Sequence, residues 1–206
     1  MKSVLIAVLM SVSFAASSAT LGEVVDSKNI GKPLSVLGLG KGKERNYLER
    51  SFVVEGCAID VAVEKGVIAS FSFDAVPKCQ KAAQSLGINL NGLTFGGASA
   101  VLGQAQYSAD CLASCGNAAD PWVHAKWTSN GRTVSVSQVL VDGPILDATL
   151  RWEKIITDKY GEDYVVDQKF NCTREFDAKG AAIFKDVKVS RLSIGKSPFL
   201  PQCTSR

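Results

Sequence analysis

The pair Asn130-Gly131, flanked on both sides by residues of alternating polarity, constrains this chain more than any other feature. Asn-Gly tolerates the positive φ that both central positions of a tight two-residue hairpin turn require. If Ser129 opposes Arg132, then Trp127 meets Val134, Ala125 meets Val136 and Val123 meets Gln138. Val123, Ala125, Trp127, Val134 and Val136 then share one face. His124 opposite Ser137 and Lys126 opposite Ser135 share the other. A one-residue slip would invert this pattern, so turn length and polarity specify the same register. The reading predicts an antiparallel sheet with the sole histidine on its wetter side.

Residues 52–73 predict a second hairpin. Cys57, Ile59, Val61 and Val63 have one parity, Glu64-Lys65-Gly66 reads as a three-residue loop, and Val67, Ala69, Phe71 and Phe73 follow. The expected pairs are Val63–Val67, Val61–Ala69, Ile59–Phe71 and Cys57–Phe73. Ala58, Asp60, Ser70 and Ser72 then lie on the far side, with Ile68 as an exception. Pro77, the stripe Ala82, Ala83 and Leu86, and Gly87 predict a short helix over 77–87. Pro144, the helical spacing of Ile145, Ala148, Trp152 and Ile155, and a stop at Gly161 predict a long helix over 144–160, with Trp152 in the core. Residues 88–95, broken by an Asn91-Gly92 turn, read as a strand. So do 164–171 and 184–194, the last with a hint of a bulge. Residues 20–46 read as a surface loop whose Gly/Lys run lacks the order of a phosphate-binding loop. The whole is an α+β fold, a mainly antiparallel sheet built from hairpins with one long and one short helix packed on it. An echo between Phe52–Cys57 and Val165–Cys172 raises the option of two similar halves.

The N-terminus addresses the cell rather than the fold. Lys2, an apolar run from Val4 to Ala16 and the small residues Ser17-Ser18-Ala19 have the three-part layout of a secretory signal peptide over 1–19. The run is shorter than the ~20 residues a membrane span needs. No later stretch is long enough either, and no Cys near the cut invites a lipid anchor. Residues 20–206 are therefore expected as one soluble α+β domain, periplasmic or secreted. Lys+Arg 23 against Asp+Glu 20 gives no broad basic face for nucleic acid. A single His removes every His-cluster metal site, so neither metal nor cofactor is expected.

Cys57, Cys79, Cys111, Cys115, Cys172 and Cys203 all follow the expected cut. An even count in an exported chain reads as disulfides, and six cysteines allow fifteen pairings. Sequence neighbourhood favours Cys57–Cys79, Cys111–Cys115 and Cys172–Cys203. The C-x3-C spacing of Cys111 and Cys115 matches neither a zinc knuckle nor the C-x-x-C of thioredoxin-like redox enzymes.

The segment from Tyr107 to Trp122 concentrates turn formers, aromatics and cysteines. Its string Cys111-Leu112-Ala113-Ser114-Cys115-Gly116-Asn117-Ala118-Ala119-Asp120-Pro121 resembles one in a family of exported bacterial proteins of unassigned function. Trp152-Glu153-Lys154, Gly161-Glu162-Asp163, Phe170-Asn171-Cys172 and Phe184–Val189 resemble it too. The similarity spans residues 46–194 and implies a shared fold without implying an activity. A looser likeness is to periplasmic inhibitor proteins, in which a short disulfide loop plugs an enzyme cleft. On that reading Leu112, Ser114, Asn117, Asp120 and Trp122 form a pre-shaped surface for a protein partner in the cell envelope, and no residue is catalytic. The alternative is a small hydrolase using His124 with Ser137 and Asp110 or Asp120, although no G-x-S-x-G elbow is present. Glu162-Asp163 reads as a solvated helix end. N-terminal sequencing of the exported protein is expected to begin at Thr20, and a non-reducing peptide map to contain the three proposed links. Six free thiols would overturn the disulfide reading, and an intact N-terminus the cleavage reading.

Overall fold

The computed structural model describes residues 19–45, 48–110, 121–129, 132–139, 143–166 and 174–196. Among these, one antiparallel sheet holds β1 (Lys43–Glu44), β2 (Glu49–Val54), β3 (Cys57–Glu64), β4 (Val67–Asp74), β5 (Gln106–Asp110), β6 (Trp122–Ser129), β7 (Arg132–Val139) and β8 (Arg191–Gly195). The order across it is β1-β2-β3-β4-β8-β7-β6-β5. The helices are α1 (Leu21–Val24), α2 (Gln80–Ala83), α3 (Phe95–Leu102), α4 (Gly143–Tyr160), α5 (Glu162–Val166) and α6 (Asp177–Ile183). The fold is α+β, as the hairpin patterning implies, with more helices than the two expected. Each half is a three-stranded meander followed by helix: β2–β3–β4 then α2, and β5–β6–β7 then α4. β8 joins them by pairing with β4 on one side and β7 on the other.

The β6–β7 hairpin takes the predicted register, from Ser129 opposite Arg132 through Trp127–Val134 and Ala125–Val136 to Val123–Gln138. The β3–β4 hairpin does not. Lys65 and Gly66 both adopt positive φ (50° and 82°), so the loop has two residues and Glu64 pairs with Val67. Val63 then pairs with Ile68, while Ala62 pairs with Ser70, leaving Ala69 without a partner on β3. This bulge reverses the parity of β4. It puts Ile68 into the core beside Val63 while Ile59–Phe73 and Val61–Phe71 keep the aromatics on that same face. The Ala69 carbonyl is not wasted, since it accepts from Lys196 N at 3.0 Å.

The short helical stretch over 77–86 ends at Gly87 in the left-handed region, and α4 forms as expected, with Ile145, Ala148 and Trp152 buried; Ile155 of the expected stripe is only partly buried, and its neighbour Ile156 is buried instead. Three expected strands differ from expectation among the described residues. In 88–95 the Asn91-Gly92 turn forms, but Thr94 caps α3 by accepting from Gly97 N. Val165 and Val166 end α5, so the echo with Phe52 in β2 does not mark equivalent positions; the rest of 164–171 beyond Val166 lies outside the described residues. Of 184–194, only Arg191 onward is strand, its pairing is unbroken, and Lys188 makes an isolated bridge to Thr94. Residues 20–45 carry α1, two short 3-10 turns and β1 rather than plain loop.

The predicted disulfide Cys57–Cys79 is present, buried, and ties the start of β3 to the helix that follows β4. Cys111, Cys115, Cys172 and Cys203, and all but Ala19 of the segment 1–19 expected as a signal peptide, lie outside the described residues. On the helix-covered face Trp152, Phe184, Tyr107 and Phe95 make one aromatic cluster, with Trp152 and Tyr107 each within 6 Å of the Phe184 ring centre (5.6 and 5.7 Å). Gly180 of α6 lies against it so closely that a Cβ there would stand 2.8 Å from the Tyr107 ring and 2.9 Å from Trp152. Gly180→Ala is therefore expected to destabilise by about 1–3 kcal/mol in urea unfolding, whereas Lys179→Ala on the exposed side of α6 should stay within about 0.5 kcal/mol.

Candidate functional site

Strand alternation sends one set of side chains into the helix-covered core and the other to the opposite face. Direct pairing there lines up Ser51, Asp60, Ser72, Ser193, Ser135, Lys126 and Gln106 across β2, β3, β4, β8, β7, β6 and β5. An adjacent row runs Asp74, Arg191, Ser137, His124, Ser108. Serines hold half of these register positions on this face, and charged or amide residues and the histidine hold the rest.

Its charged centre is Asp60. Arg45 and Arg191 each donate to one carboxylate oxygen, and Ser51 Oγ donates to the other. Burial alone pushes this carboxyl upward, but the hydrogen bonds from Ser51 and Arg191 and the charges of both arginines outweigh it, holding Asp60 below the usual carboxylate range. Arg191 also reaches Asp74 at 3.5 Å. Ser72 and Ser193 share a hydrogen bond of 2.7 Å across the β4–β8 seam. Their neighbour Ser135 is 4% exposed, and its Oγ has no hydrogen-bond partner among the described residues.

His124 occupies the predicted face but not a wet one. It is 6% exposed, its ring centre 5.0 Å from that of Trp122, two residues away on the same side of β6. Burial depresses its pKa to about 4, so the imidazole is neutral at pH 7.

Of the residues predicted to meet a partner, Trp122 is described: it is partly buried and pairs with Asp110 as the last rung of β5–β6. That rung brings both ends of the connection 111–121 within one interstrand spacing, about 5 Å. Leu112, Ser114, Asn117 and Asp120 lie outside the described residues; by register Asp110 stands opposite Trp122 and Ser137 opposite His124. Glu162 and Asp163 are exposed in the first turn of α5, where negative charge suits the helix end.

Sequence reasoning missed the Asp60 cluster. Its one signal was an acid at a central strand position; its partner Arg191 is 131 residues away and comes into reach only because β8 pairs with β4. Among the described residues no group of His, Cys, Asp and Glu is placed to hold a metal ion, and no helix is long and apolar enough to cross a membrane. Comparison with known protein families, with curated proteins and with solved structures finds no match.

Two outcomes follow from this geometry. The folded imidazole resists protonation until about pH 4, whereas the unfolded one takes its proton near 6.5. The contribution of a neutral His124 is complete above pH 6.5 and lost progressively as pH falls to 4. Urea unfolding should therefore show wild type losing about 3 kcal/mol more than His124→Gln between pH 7 and pH 4; parallel curves would refute the burial argument. Ser135→Ala removes a buried hydroxyl without a bonding partner and should leave stability unchanged or slightly higher, whereas Ser193→Ala strands Ser72 and should cost about 1 kcal/mol.

Proposed function

We propose that this protein is an exported binding protein that engages a protein partner in the cell envelope through the connection between β5 and β6. The observation that carries this reading is the Asp110–Trp122 rung. It clamps both ends of 111–121 at one end of a well-packed sheet, and the partly buried indole beneath it lies against a buried imidazole. A loop on so firm a base loses less conformational freedom when it meets a partner. The buried Cys57–Cys79 link supports an oxidising compartment, in line with the signal-like N-terminus. A hydrolase built on His124 has one observation in its favour, the register that puts Ser108 and Ser137 on either side of it. Its imidazole is buried, however, so a substrate must first displace what surrounds it, and binding is the better reading.

The test is a photo-activated cross-linking amino acid placed at position 112, with position 53 as the control, because Val53 is 75% exposed on β2 in the other half of the sheet. Irradiation of envelope preparations is expected to give one discrete adduct from position 112 and none from 53, and Leu112→Asp should weaken capture of that adduct's partner at least tenfold. The same adducts from both positions would overturn the proposal. Turnover of a small ester or peptide that disappears in His124→Gln would favour the hydrolase instead.

A further inference from the structure

We draw no further inference here: the strongest candidate, the row of hydroxyls Ser72, Ser193 and Ser135 crossing the face of the sheet opposite the aromatic core, carries nothing because these side chains are already buried, the unpartnered Ser135 Oγ belongs to the same stripe of small residues, and nothing among the described residues shows what covers it.

Discussion

β8 is paired on both sides: Arg191–Gly195 hydrogen-bonds to β4 along one edge and to β7 along the other. Two meanders that would otherwise end in open strands become one sheet through this insertion. The pairing joins segments far apart in sequence, so forming it carries a large loop-closure entropy that its contacts must offset. Side chains reinforce the same seam. Ser72 bonds Ser193, and Arg191 reaches over β4 to Asp60 and Asp74. Asp60 in turn holds Arg45 and Ser51, so one carboxylate links β8 to the far edge of the first half. A buried carboxylate lacking those donors would destabilise the sheet it now joins.

The bulge at Ala69 is the second constraint. A two-residue turn at Lys65-Gly66 sets a register in which Phe71 and Phe73 would face away from the core. One unpaired residue reverses parity midway, and both Ile68 and the two phenylalanines become buried. The local turn preference and the tertiary demand for apolar burial are both met, at the cost of one rung of the ladder, and the freed Ala69 carbonyl finds Lys196.

What was legible in the sequence follows from which interactions are local. The β6–β7 register could be read because Asn130-Gly131 and the alternation around it agree. The β3–β4 register could not, because Lys65 in the left-handed region has no strong sequence signature and the bulge answers to packing. α3 was hidden by Gly96 and Gly97, poor helix formers; at Gly96 the chain at Lys185 passes too close for a Cβ, whereas Gly97 has room for one. α6 was hidden likewise by Gly180, whose role is set by Tyr107 and Trp152 far along the chain. Of the candidate site, the facing of His124 with Ser137 was legible. The burial of His124 was not, since alternation assigns a face without saying whether that face is wet.

At the outer margin of the sheet, Tyr107 N of β5 donates to Asp177 Oδ1 at 3.1 Å instead of to a ninth strand. The carboxylate is buried and its pKa is raised, chiefly by burial. At the opposite margin β1 is only Lys43–Glu44, both exposed and charged. Among the described residues the two borders are thus blunted in different ways, one by a side chain of α6 and the other by a short charged strand, both devices that discourage edge-to-edge pairing. Without the Asp177 carboxylate, the Tyr107 amide on the β5 border would lose its acceptor.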